Sequence, residues 1–442
     1  MGVVTVQNTE SQVPKGYKKT DVGVIPVDWE VKELSSIGRV VSGKRLPKGW
    51  LVQDMENPHP YLRVTDMFMG GVDLSDIKYV PEEIVDQIKQ YRIFIGDIFI
   101  SVAGTLGVVG KIPSILDGAN LTENANRITD IQCDQNYLLQ VMMSELIQKT
   151  IEGIQTIGAQ PKLALTRLRQ FLIPIPPTLE EQQAIAQVLT NMDDYIHSLQ
   201  QLVEKKKNIK QGTMQQLLTG RTRLPGFGGT DVGTKKTDVG VIPVDWEVFL
   251  LDQLAQAIDP HPSHRAPPEV SNGIPFLGIG DLDTNGNICN ANPRLVDEKV
   301  FIEHQQRYNL KDNLIGLGRV ASIGKVVLIR DDLGMFTISP TFGILKSKNI
   351  YFKYLFYQLQ SQATDKYFSK IMSGSTRSSV GMIVLRQLPI AIPPTLEEQQ
   401  AIAQVLTNMD DEITALQEKI EKAKQVKQGA MQELLTGKRR LV

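Results

Sequence analysis

The chain repeats itself. KKTDVGVIPVDWEV runs from Lys18 to Val31 and returns unchanged from Lys235 to Val248, 217 positions on. IPPTLEEQQAIAQVLTNMDD runs from Ile175 to Asp194 and returns unchanged from Ile392 to Asp411, again 217 positions on. QGTMQQLLTGRTRL (Gln211 to Leu224) answers QGAMQELLTGKRRL (Gln428 to Leu441) at the same spacing. A repeat of this length constrains the architecture before any local signal does, because each copy must support the same structure. At 442 residues the chain is also too long for a single core, so two or more domains are expected.

Between the shared blocks lie two long inserts, Lys32 to Gln170 and Phe249 to Gln387, that differ almost everywhere yet keep parallel landmarks. YLRVTDM (Tyr61 to Met67) answers FLGIGDL (Phe276 to Leu282), and GDIFISVAGTLGVVGKI (Gly96 to Ile112) answers KDNLIGLGRVASIGKVVLI (Lys311 to Ile329). These Val-, Ile- and Gly-rich runs read as strands joined by tight turns. NYLLQVMMSELIQ (Asn136 to Gln148) and NIYFKYLFYQLQSQ (Asn349 to Gln362) each read as a single helix. Each insert is thus expected to be a mixed α/β domain. The resulting division is 1–31 for a tail and first shared lead-in, 32–174 for the first insert domain and 175–220 for a first long helix. It continues with 221–248 for a linker and second lead-in, 249–391 for the second insert domain and 392–442 for a second long helix and tail.

The block after each insert has the marks of one long helix. Thr178 and Thr395 are N-cap candidates, with Glu181 and Glu398 three residues on completing a capping box. Ile185, Leu189, Met192, Ile196, Leu199 and Val203 step by four and three, a coiled-coil seam, and Ile402, Leu406, Met409, Ile413, Leu416 and Ile420 repeat it. Ile209 falls off that pattern, so the far end of the first helix is expected to splay or to meet something else. Gly220 and Gly437 stand where a C-terminal glycine would close each helix.

Catalytic signals are poor. Gly318 to Lys325 lacks the spacing of a phosphate-binding loop and reads as a strand turn. Acid, any residue, then Lys recurs too often to mark a nuclease. Pro176-Pro177 and Pro393-Pro394 lead into helices and have no aromatic after them to hold a flipped adenine. The two cysteines, Cys133 and Cys289, have no metal spacing, and the five histidines pair with no ligand set; His261 and His264 read as surface or contact residues. No run is long and apolar enough for a membrane span and the N-terminus lacks a signal-peptide core, so a cytoplasmic address is expected.

Recognition remains. The 48 basic residues against 49 acidic ones give a net charge of -1, so any nucleic-acid surface must be local. In the first insert the candidates are Lys44 and Arg45, in a Gly/Pro-flanked loop with Lys48 and Trp50, then Arg63, Gln160 and Lys162. In the second they are His264, Arg265, Arg319, Lys325 and Arg377. Cations and amides on loops among small residues can reach base edges, while backbone N–H groups and hydroxyls reach phosphates. A coiled-coil scaffold whose inserts bind proteins is the competing reading, kept open by the near-neutral charge.

The GVIPVDWEV lead-ins, the PPTLEEQQAIAQVL helix starts and the LLTG endings with basic residues after them, each present twice at one spacing, resemble the specificity subunit of type I restriction-modification enzymes. The resemblance implies an α+β chain: two target-recognition domains in pseudo-twofold arrangement, separated by two long antiparallel coiled-coil helices. It implies a non-catalytic subunit that reads a bipartite, asymmetric site in double-stranded DNA. Its implied partners are two methyltransferase (modification) subunits and the restriction subunits. S-adenosylmethionine, ATP and Mg2+ would then belong to those partners, with no cofactor or metal bound by this chain.

Overall fold

Strand pairing closes each insert on itself. In the computed structural model, which describes residues 13–155, 162–228, 233–261, 265–320, 322–373 and 379–441, the lead-in strand Glu30–Glu33 pairs antiparallel with Leu172–Ile175. Glu247–Leu250 pairs in the same way with Pro389–Ile392. The shared blocks on either side of an insert therefore hold its two ends together, over a Trp29 or Trp246 that is wholly buried.

Within each insert the same sheet forms from unlike sequence. The first has the strand order Val109–Gly110, Ile98–Ser101, Ala125–Thr129, Arg39–Ser42, with every neighbour antiparallel. The second has Val326–Ile329, Leu314–Gly318, Phe342–Ser347, Ala255–Ile258 in the same order and sense. Each insert adds a smaller sheet containing a parallel pair: Pro60–Leu62 beside Ala119–Leu121, and Ile274–Leu277 beside Thr337–Ile338. The two inserts share few residues along these strands, yet Ile98–Ser101 and Leu314–Gly318 are both buried throughout, and strand packing asks chiefly for apolar residues there.

The helices expected to be single are broken. Gln135–Met143 stops at Ser144 and Glu145–Gln155 begins afresh; Phe352–Leu359 and Gln362–Ser373 are likewise separate. Ser144 adopts an extended conformation, its hydroxyl donating to the Val141 carbonyl at 2.6 Å while its own carbonyl starts the next helix. Such a side chain competes with the backbone for hydrogen bonds and marks a boundary that apolar periodicity does not reveal.

Both long helices form, as Leu179–Leu217 and Leu396–Leu434. Thr178 and Thr395 cap them, each hydroxyl accepting from the N–H three residues on at 3.2 Å. The other half of the expected capping box does not form. Glu181 and Glu398 are buried and turn instead to Arg440 and Arg223, whose guanidinium groups also grip Asp28 and Asp245. A full ion pair satisfies a buried carboxylate better than a single backbone donor would.

Those arginines come from the opposite repeat. The chain divides into two compact units, residues 1–200 with 418–442, and residues 201–417, so each unit takes in the closing segment of the other half's long helix. In the first unit, Leu434 and Leu435 join Ile185, Leu189 and Trp29 in one core. In the second, Leu217 and Leu218 join Ile402, Leu406 and Trp246. The seam that lost its phase after Val203 thus has a destination. Lys427 meets Asp193 at 2.6 Å, and Arg440 meets Glu181, so the paired helix segments of the first unit run antiparallel. Lys210 meets Asp410 at 2.6 Å in the second. Gly220 and Gly437 close the helices with φ of +67° and +66°; a Cβ on Gly437 would lie 2.5 Å from the Pro26 ring. Among the described residues, no helix is long and apolar enough to cross a membrane.

Candidate nucleic-acid interface

One edge of the first unit's main sheet collects the loops that carry its candidate residues. Ser42 ends a strand there, Ala125 begins its neighbour and Ser101 ends the next. The connection 121–125 is the hub. Its Leu121 carbonyl accepts the Lys44 N–H at 2.8 Å, its Asn124 carbonyl accepts the Val102 N–H at 2.7 Å, and its Thr122 N–H donates to Leu62, next to Arg63, at 3.1 Å. Ala103 bridges Lys162. Lys44, Arg45, Arg63 and Lys162 therefore share this edge, while Gln160 lies outside the described residues. Gly43 makes the approach possible, since a Cβ there would sit 2.0 Å from the Thr122 carbonyl oxygen.

The side chains differ in what they can offer. Lys44, Arg45 and Lys162 are exposed. The Lys44 ammonium stands over the Tyr91 ring, 5.8 Å from its centre. Arg45 donates from Nε to Glu123 at 2.6 Å, a bond that raises the guanidinium's pKa. Burial alone would raise the Glu123 carboxyl, but hydrogen bonds from Arg45, its own backbone and Thr122 outweigh it and hold the group below the usual carboxylate range. Arg63 is half-buried, and its Nη2 donates to Asp66 and to the Asp76 carbonyl, each at 2.6 Å. That guanidinium is a brace for its own turn more than a free base reader.

The second unit builds the same edge with a different chemistry. The Arg319 N–H donates to the Thr341 carbonyl at 2.8 Å, and the Ser339 N–H donates to Leu277 at 2.9 Å, matching Val102 and Thr122. Arg319 and Lys325, expected to face bases, turn inward. Arg319 is buried and donates from Nε to the Val380 carbonyl at 3.0 Å, with Nη1 3.4 Å from Asp259. Lys325 is half-buried with its ammonium on the Leu282 carbonyl at 2.7 Å. Backbone carbonyls outside the sheet strands capture both cations. Arg265 is exposed; His264 and Arg377 lie outside the described residues.

His261, read as a surface or contact residue, is not on the surface. It is buried, its ring centre 4.9 Å from that of His304, edge to face. His304 contacts the Thr337 hydroxyl, and burial first, then the neighbouring His261, push its pKa below that of an ordinary imidazole. Among the described residues, no group of three or more His, Cys, Asp or Glu converges to hold a metal.

Three acids at these edges were not among the candidate residues. Glu123 supplies a carboxylate between the strands, with no local pattern to mark it. Asp66 and Asp281 were legible in retrospect, as the shared acid of the YLRVTDM and FLGIGDL landmarks. Each accepts the N–H three residues earlier, Arg63 at 2.8 Å and Gly278 at 2.7 Å, and so shapes the turn leaving the parallel strand.

The family model described as the type I restriction modification DNA specificity domain matches residues 26–211 and again residues 243–425. The chain belongs to that family. Among its relatives is the chain named as the MjaX type I restriction enzyme specificity subunit of Methanocaldococcus jannaschii, 30% identical over 453 residues and covering 97% of both chains. The MjaVIII specificity subunit of the same organism is 26% identical over 437 residues, covering 94% of each. In fold, this specificity subunit is similar to the S subunit of a type I restriction-modification system from M. genitalium. The TM-score is 0.53 at 15% identity, covering 92% of this chain and 96% of that one.

Proposed function

We propose that this specificity subunit is a non-catalytic reader of a split, asymmetric DNA site, one half for each insert. The observation that carries the reading is that two sheets of one topology present unlike loops at the same edge: Lys44, Arg45 and Glu123 in one unit, an internally braced Arg319 in the other. A common platform with exchangeable loops is what two different half-sites require. The long helices would set the distance between the half-sites, so that the intervening bases need no reading.

Catalysis then belongs to partners. Val27 and Leu179 are exposed on the first shared frame, and their counterparts Val244 and Leu396 are exposed on the second. Apolar residues kept identical and open in both copies suit the docking of two copies of one protein. That protein is a methyltransferase subunit, holding S-adenosylmethionine and acting on a flipped adenine. Restriction subunits using ATP and Mg2+ complete the assembly, in the cytoplasm. Methylation mapping of the host genome tests the reading: a motif with two unequal halves and a fixed gap is expected. A palindromic motif, or methyl transfer by this chain alone, overturns it.

A further inference from the structure

Large apolar side chains stand in solvent at one place beside the candidate DNA edge. In the loop that follows Arg45, Trp50 is 40% exposed, Leu51 82% and Met55 78%. The loop is not loose. Leu46 and Val52, on either side of the exposed tip, pack against the small core of Tyr61, Val80, Ile84 and Ile88. Gln53 and Tyr79 exchange two backbone hydrogen bonds of 3.0 Å, the Trp50 N–H closes a turn on the Pro47 carbonyl at 3.1 Å, and the Tyr61 hydroxyl holds the Lys44 carbonyl at 3.0 Å. A segment so anchored, yet holding a tryptophan and a leucine outward, keeps apolar surface in water at a cost that folding alone would remove.

The surroundings indicate what covers it. Lys44, Arg45 and Lys48 precede the tip and are exposed, which suits a polyanion and not an apolar protein face. Cations on phosphates with apolar side chains driven between base pairs are the means by which proteins unstack and kink a duplex. We infer that Trp50 and Leu51 form an apolar wedge that enters a base step of the first half-site, positioned by the flanking Lys44, Arg45 and Lys48. This inference rests on the DNA-reading function proposed above. The corresponding stretch of the second insert, HPSHRAPPEV (His261 to Val270), carries prolines and neither a tryptophan nor a leucine, so the distortion belongs to one half-site only.

The test uses the chain assembled with its methyltransferase subunits, and duplexes carrying the sequence that this enzyme methylates. 2-Aminopurine replaces, in turn, each adenine other than the methylated one. Wild type is expected to raise the fluorescence at one step of the first half-site and at none of the second. Leu51→Ala is expected to abolish that rise and to weaken binding roughly tenfold, the loss of one buried leucine. Its melting temperature and its DNA-free assembly with the methyltransferase are expected to stay unchanged. A rise that persists in Leu51→Ala, or an unaltered affinity, overturns the wedge and leaves the DNA-reading function standing. Failure of Leu51→Ala to assemble without DNA assigns the tip to a protein partner and also overturns it. A wild-type enzyme with no preference for the methylated sequence overturns the DNA-reading function itself.

Discussion

Arg223 closes the second unit by reaching from the end of the first long helix to two acids of the second repeat. Its Nη2 donates to Glu398 at 2.6 Å and its Nη1 to Asp245 at 3.0 Å, and Glu398 is only 1% exposed. Replacing Arg223 with methionine keeps much of the aliphatic stem and strips a buried carboxylate of its counter-charge. Losing one partner of a buried pair costs about 3 to 5 kcal/mol. Here about 3 is expected, because Glu398 sits in the first turn of its helix, where the dipole offers partial relief. For a unit of this size that corresponds to a fall in melting temperature of roughly 6 to 12 °C. Hydrogen exchange followed by mass spectrometry reads the effect by region: protection should fall across residues 201–417 and hold across residues 13–155. A double variant, Arg223→Met with Glu398→Met, should regain most of the loss, since no charge is then left buried. A loss below about 1 kcal/mol for the single variant, or equal loss of protection in both units, would refute the reasoning.

Gly437→Val places a β-branched side chain at a φ of +66° and against the Pro26 ring, so it should destabilise the first unit by about 3 kcal/mol or more, seen as early loss of Trp29 fluorescence on urea titration. His304 has a folded pKa below its ordinary 6.5, so as pH falls the unfolded chain takes up a proton first. The second unit should therefore hold its full stability above that pH and lose stability as pH drops below it, a slope in thermal melts that His304→Gln should flatten. Arg45→Ala should weaken discrimination in the first half-site alone, by on the order of ten- to a hundredfold in base-by-base competition. Arg63→Ala should instead lower the stability of its turn, because Asp66 is buried and loses its partner.

The duplicated blocks alone establish that two like halves exist, that each insert is bracketed by a shared frame, and that a capped helix follows each one. These signals are local or periodic: a threonine at a helix start, an apolar residue every third or fourth position, a word repeated 217 positions on. The candidate edge was legible to the extent that Lys44, Arg45 and Lys162 were singled out and prove exposed. Tertiary structure decided the rest. Glu181 looks like half of a capping box until Arg440 arrives from 259 residues away, and Arg319 looks like a free loop cation until Val380 and Asp259 surround it. His261 sits among prolines and polar residues, yet His304 and Phe276 enclose its ring. In each case the charge or ring finds a partner distant in sequence, and the choice between solvent, a base edge and a buried neighbour is made only when the sheets and helix ends have brought those partners within hydrogen-bonding reach.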